Sequence, residues 1–439
     1  MNNEIQSIIS AALQAVNPKV FIPKVLQREQ DQLIIAGKTF EWKQFKHIYL
    51  VAIGKAGLSM AAAVDSVLHD AVTEGIILTK HIDDSFQFSE KYRIFKGGHP
   101  VPDDGSVQGA NAILAMLGKT LADDLVIFLI SGGGSALLTS PRPGVSLKDM
   151  QDFSAQILAC GADINEFNTM RKHLDLVKGG GLALQAAPAL CVSIILSDVV
   201  GSNLSTIASG PTVPDPSTFD DAIRILDKYQ LRGSVPASIL KVLQDGQMGL
   251  IPETLKNDDP CCKKIINCLA ADNRIAAVAA AEKGRQLGFN SVILSTMLTG
   301  EAAEVGAMLP AFLSEIDRPG SWIQRPALMI FGGETTVHIH GNGLGGRNQE
   351  LALAAVRPMS DMKDSALVTL ATDGEDGPTD AAGAFVSDET LQKGLARGLK
   401  PEDFLNRNDA YHYFEALNDL LKTGPSGTNV NDLTFLFAF

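Results

Sequence analysis

His47-Ile-Tyr-Leu-Val-Ala-Ile53 runs directly into Gly54-Lys55-Ala56-Gly57 and then into Leu58-Ser-Met-Ala-Ala-Ala-Val64, and this stretch decides the fold class. An unbroken apolar run bounded by glycine reads as a strand buried on both faces. The small-residue segment after it reads as a helix. The same grammar returns at Leu125-Val-Ile-Phe-Leu-Ile130, which delivers Ser131-Gly132-Gly133-Gly134-Ser135 and then Ala136-Leu137-Leu138. It returns again at Cys191-Val-Ser-Ile-Ile-Leu196, which delivers Ser197-Asp198 and, further on, the small-residue loop Ser209-Gly210-Pro211-Thr212. Strands separated by helical stretches build a doubly wound, mostly parallel sheet, and ligands bind such sheets at the carboxyl ends of the strands.

The second half of the chain reads as another α/β domain. Ile265–Leu269, Ser291–Ser295, Ala327–Phe331, Leu367–Ala371 and Asp432–Phe437 have strand character, and Asn273–Leu287 is an Ala-rich helix. Gly332-Gly333-Glu334-Thr335 reads as a turn before an alternating strand Thr336–His340, so this sheet is expected to be mixed. Residues 245 to 265 hold turn and breaker residues with little periodicity and read as the join. The expected domains are 1–248, Rossmann-like, and 249–439, with the active site in the cleft between them.

Gly345-Gly346-Arg347-Asn348-Gln349-Glu350 opens a helix that continues through Leu351–Val356. A helix N-terminus carries partial positive charge and unpaired N–H groups, so Arg347 in the first turn calls for an anion there. The glycines before it allow close backbone approach to a ligand.

With 37 basic against 50 acidic residues the formal charge is −13, which argues against nucleic acid or anionic membrane as a partner. An anionic substrate then needs a local basic pocket, which Lys55, Arg171, Lys172 and Arg347 can supply. The N-terminus lacks a basic leader, and Ile5, Ile8, Ile9, Ala12, Leu13 and Val16 repeat at helical spacing, as in an ordinary amphipathic helix. No apolar run reaches the length of a membrane span, so a cytoplasmic protein is expected. Cys261, Cys262 and Cys268 fit no common zinc spacing and read as free thiols, and His338 and His340 read as a polar strand face. There is no G-x-x-x-x-G-K-[ST], and Gly341-x-Gly343-x-Gly345-Gly346 has the wrong spacing for a dinucleotide fingerprint.

In order along the chain, Gly54–Gly57, Gly98-His99-Pro100-Val101-Pro102-Asp103, Ser131–Ala136, Lys178-Gly-Gly-Gly-Leu182 and Ser197–Gly201 resemble the motifs of the class II glycerate kinases. Ala208–Thr212, Gly332–Thr336, Gly345–Glu350 and Ala371-Thr-Asp-Gly-Glu-Asp-Gly-Pro-Thr-Asp380 continue the series, the last three in a C-terminal MOFRL region expected at about 325–436. The resemblance implies ATP-dependent phosphorylation of D-glycerate, with the 2-hydroxyl as acceptor. It implies essential roles for Lys55 and Arg347. The consecutive small residues Ser131, Gly132, Gly133, Gly134 and Ser135 can aim N–H groups at a nucleotide phosphate, and Lys178, Gly210, Gly333 and Glu334 join them as expected nucleotide contacts.

Asp198 and Asp373 each follow a buried strand and suit Mg²⁺, which takes one or two carboxylates plus substrate phosphates. Asp198 can equally serve as proton acceptor for the attacking hydroxyl, and its residue type leaves the two roles open. The substrate carboxylate is expected on Arg347 or nearby amides. A homodimer is compatible with this reading. Two alternatives are a hydroxypyruvate reductase using NAD(P)H, which the missing fingerprint disfavours, and a non-catalytic small-acid-binding protein on the same scaffold.

Overall fold

The computed structural model describes residues 3–439. The chain forms two compact units, one of residues 21–270 and one of residues 3–20 with 271–439. Among the described residues no helix is long and apolar enough to cross a membrane.

In the first unit a six-stranded sheet takes the order Tyr92–Lys96, Glu74–Thr79, Ile48–Ile53, Leu125–Ile130, Leu190–Leu196, Ile265–Ala271. The first five strands pair in parallel. Numbered by their sequence within the sheet, the strands run 3-2-1-4-5-6, the doubly wound order, with its reversal between Ile48–Ile53 and Leu125–Ile130. Both of those strands are buried at every position, as their unbroken apolar sequences require. A separate helical layer gathers Phe153, Met170, Phe219, Leu226 and Leu243 into its own apolar cluster. Residues 26–41 add a three-stranded antiparallel meander, too short and too polar to stand out by periodicity.

The second unit holds a mixed six-stranded sheet in the order Asn290–Leu298, Ala327–Gly333, Asp432–Ala438, Ser365–Ala371, Gly383–Ser387, Leu420–Leu421. Its antiparallel character has a source other than the expected one. The C-terminal strand Asp432–Ala438 inserts antiparallel between Ala327–Gly333 and Ser365–Ala371. Residues 337–340 form no strand: His340 and Gly341 donate their amides to Asn408 Oδ1 at 2.7 and 2.9 Å, and that side-chain acceptor replaces a ladder.

The units divide at residue 270, later than the expected boundary at 248. The turn-rich segment after 248 is tied back onto the first unit: Leu255 is buried and exchanges backbone hydrogen bonds with Gly179 and Asp215, and Glu253 accepts from the Phe219 amide at 2.8 Å. The strand Ile265–Ala271 then completes the first sheet, with Asn267 hydrogen-bonded to Thr212 through both ends of its amide. The amphipathic helix Asn3–Ala15 buries Ile5, Ile8, Ile9 and Ala12, and Thr428 Oγ1 donates to the Val16 carbonyl at 2.8 Å. The N-terminus therefore belongs to the C-terminal unit.

Candidate active site

The turns that follow the two central strands of the first unit lie at the reversal of strand order, where an open α/β sheet forms a crevice. They are stitched together. Lys55 N donates to Gly132 O at 2.9 Å and Ala56 N to Ser131 Oγ at 3.1 Å, while Ser131 Oγ and N both donate to Ile53 O. Ser131 is fully buried and both its donors are used in shaping the turn. The amides of Gly132, Gly133 and Gly134 have no acceptor among the described residues. Consecutive free amides at a strand end form an anion-binding concavity.

Side-chain packing explains the glycines. A Cβ on Gly132 would overlap the Asp198 carboxylate. Gly133 has φ +80°, and a Cβ there would stand 3.1 Å from His99 Cδ2 and 3.3 Å from Lys55 Cγ. Gly133 thus brings Lys55, His99 and the free amides into one place. Lys55 is exposed and has no ion-pair partner among the described residues. Burial, and then the positive charges of Lys55, Lys80 and Arg171, push the His99 imidazole down to about 4, so it is neutral at neutral pH. Arg171 Nη2 donates to Ser135 O at 3.0 Å, and Ser135 Oγ bonds Ser209 Oγ at 2.9 Å. Ala208, Ser209 and Gly210 all have φ between 50° and 61°, a costly run for two non-glycine residues of the kind that clusters at functional sites.

Two residues expected at the nucleotide support this loop from behind. Lys178 is 2% exposed, and its ammonium donates to Leu138 O, Asp175 Oδ2 and Thr139 Oγ1, leaving no donor for a phosphate. Burial lowers its pKa. Gly210 O accepts the Gly180 amide at 2.7 Å and Ser209 O accepts the Gly179 amide, so the Lys178–Gly181 turn holds the strained loop. Lys172, named for the basic pocket, is buried in an ion pair with Asp215 at 3.2 Å.

In the second unit Arg347 is the first residue of the helix Arg347–Met359, as its sequence indicated. The anion it called for is internal. Asp376 is buried against the helix start and accepts the amides of Asn348 at 3.1 Å and Gln349 at 2.8 Å. Arg347 donates from Nε and Nη2 to both oxygens of Asp432 and from Nη1 to Glu334 Oε1 at 2.7 Å. Glu334 is thereby an ion-pair partner of Arg347, and Gly333 is the last ladder residue before it. Asp373 Oδ1 accepts the Glu375 amide at 3.2 Å, an Asx-turn. Among the described residues no three His, Cys, Asp or Glu side chains gather as a metal cluster. One carboxylate beside free amides still fits Mg²⁺ held mainly by nucleotide phosphates, and Asp198 against Gly132 is such a carboxylate.

Residues 4–244 match the model of a domain of unknown function, DUF4147, and residues 327–432 match the MOFRL family. A glycerate 2-kinase of Pyrococcus horikoshii is 40% identical over 97% of this chain and 94% of its own length. The chain belongs to the class II glycerate kinase family. A D-glycerate 2-kinase of Thermotoga maritima is another member, 40% identical over 88% of this chain and 89% of its own. The crystal structure of a glycerate kinase from Thermotoga maritima superposes with a TM-score of 0.88 at 35% identity, covering 99% of each chain. Within this glycerate kinase fold the sequence reading assigned no role to His99, Lys80 or Ser209. The signal for His99 was present, since Gly98–Asp103 is one of the family motifs, but a lone histidine in a loop carries no chemistry until its neighbours are known.

Proposed function

We propose that this chain transfers the γ-phosphoryl group of ATP to the 2-hydroxyl of D-glycerate in a Mg²⁺-dependent reaction. The observation that carries the reading is the gathering of Lys55, Lys80, Arg171 and a neutral His99 around the unpartnered Gly132–Gly134 amides, in a chain whose formal charge is −13. Phosphoryl transfer is catalysed mainly by positioning and by stabilising charge on the moving group. The glycine amides suit the nucleotide phosphates, and Lys55, an unpaired ammonium on the adjoining turn whose amide bonds Gly132 O, suits the transferring group. Asp198 would hold Mg²⁺, which supplies charge neutralisation on the phosphate oxygens when bound. The catalytic role of Arg347 rests on the family motif that carries it, Gly345–Glu350. The cytoplasm suits such a small-molecule kinase, and no nucleic acid or membrane partner is proposed.

The test is a coupled assay with D-glycerate, ATP and Mg²⁺, with the product's phosphate located by phosphorus NMR. Formation of 2-phosphoglycerate is expected, and a parallel reaction of hydroxypyruvate with NADH should show no turnover. Turnover of hydroxypyruvate alone would overturn the reading, and 3-phosphoglycerate would overturn the choice of hydroxyl.

A further inference from the structure

Arg171 lies at the C-terminal end of the helix Ile164–Leu174 and, unlike its chain neighbours Lys172 and Lys178, has no ion-pair partner among the described residues. Lys172 is paired with Asp215, and Lys178 occupies Asp175, the one acid whose charge bears on Arg171. A half-buried guanidinium left without a carboxylate is costly unless another group supplies the anion.

Its geometry is nevertheless fixed. One nitrogen donates to Ser135 O at 3.0 Å, and the guanidinium stands 4.7 Å from the centre of the Phe167 ring. A planar fork held in this way is pre-organised for a second planar group, whereas lysine offers only a flexible point charge. Lys55 and Lys80 therefore suit phosphate, which tolerates many approach directions, and Arg171 suits a carboxylate. Arg347, the sequence candidate for that role, already spends its fork on Asp432 and Glu334.

We propose that Arg171 binds the carboxylate of the acceptor substrate through its free edge and so selects a hydroxy acid over a neutral polyol. The proposal rests on the kinase reading and assigns a specificity residue within it. The neutral His99 imidazole, packed against Gly133, can hydrogen-bond the same ligand without adding to the repulsion among the cations.

Steady-state kinetics of Arg171→Lys and Arg171→Gln with D-glycerate, and with its amide glyceramide as a neutral mimic, test this. In Arg171→Gln the KM for D-glycerate should rise about 10- to 100-fold, the worth of a charge-assisted bidentate contact, while the KM for ATP stays within about 2-fold. The lysine variant should lie in between. The ratio of kcat/KM for D-glycerate to that for glyceramide should collapse, because D-glycerate turnover falls far more than glyceramide turnover does, and Arg171→Lys should restore part of it, which a merely structural role for Arg171 would not produce. A raised KM for ATP with an unchanged KM for D-glycerate overturns the proposal. If the wild-type protein does not phosphorylate D-glycerate, the kinase reading fails separately, and NMR titration of D-glycerate and glyceramide into wild type and Arg171→Gln decides the proposal. A preference for the acid that is lost in the variant supports it, and the same preference in both, or none in the wild type, overturns it.

Discussion

Arg347 and Asp432 form a bidentate pair, with Nε to Oδ2 at 2.6 Å and Nη2 to Oδ1 at 3.1 Å, and burial raises the Asp432 carboxyl while Arg347 opposes the shift. This changes what Arg347→Ala should do. Removing one partner of a buried pair leaves the other charge unmatched, at about 3 kcal/mol or more. The variant should therefore lose both Tm and turnover. Arg347→Met combined with Asp432→Asn should recover a large part of the stability, read by urea denaturation, without recovering kcat. Restored turnover in the double variant would show that Arg347 serves the fold alone.

Lys55 gives the opposite signature. Its side chain is exposed and unpaired among the described residues, so Lys55→Ala should leave Tm within about 1 °C while lowering kcat by roughly 100-fold or more, the usual loss for a group acting on transition-state charge. Near-normal kcat would remove Lys55 from the mechanism.

The two roles open to Asp198 separate by their dependence on metal. As a Mg²⁺ ligand, Asp198→Asn should raise the half-activating Mg²⁺ concentration about 10-fold, with part of kcat recovered at saturation. As proton acceptor it should lower kcat by roughly 100-fold at any Mg²⁺ concentration. Asp373→Asn, whose carboxylate is engaged in an Asx-turn, should leave the requirement unchanged.

Asp376 predicts a pH dependence of stability. Burial lifts its carboxyl to about 6, opposed by hydrogen bonds from the Gln349 and Asn348 amides and reinforced by Asp432. An unfolded aspartate titrates near about 4, so between these values the folded protein binds more protons than the unfolded chain. The stability this group contributes is complete below the unfolded pKa and is lost as pH rises through the folded one. Stability of wild type minus that of Asp376→Asn should therefore fall between about pH 4 and pH 6, by up to about 1.4 kcal/mol per unit, and be flat above pH 7. A difference independent of pH would show that Asp376 is ionised throughout.

Much of the architecture is written locally. The strands at Ile48–Ile53, Leu125–Ile130 and Leu190–Leu196, the glycine turns after the first two, the N-terminal amphipathic face and the helix start at Arg347 all follow from the period of apolar residues and from turn chemistry. These signals depend on residues within a few positions of one another. The same local grammar put the glycine turns at strand ends, and the order of the motifs pointed to the family.

What only the tertiary structure decided depends on distant partners. Arg347 meets Asp432 across 85 residues of chain, which turned a free anion clamp into a structural ion pair. Lys178 and Arg171 look alike in sequence, but folding encloses one with Asp175 and leaves the other without a carboxylate. His99 became part of the site only because the backbone at Gly133 has room for its ring. The strand Ile265–Ala271 reads by its sequence as part of the second domain, yet it completes the first sheet, where hydrogen bonds exchanged between Asn267 and Thr212 accompany its place. Propensity and periodicity specify which element forms, but the pairing of charges and of sheet edges is a property of the assembled fold, where burial makes each unmatched group costly.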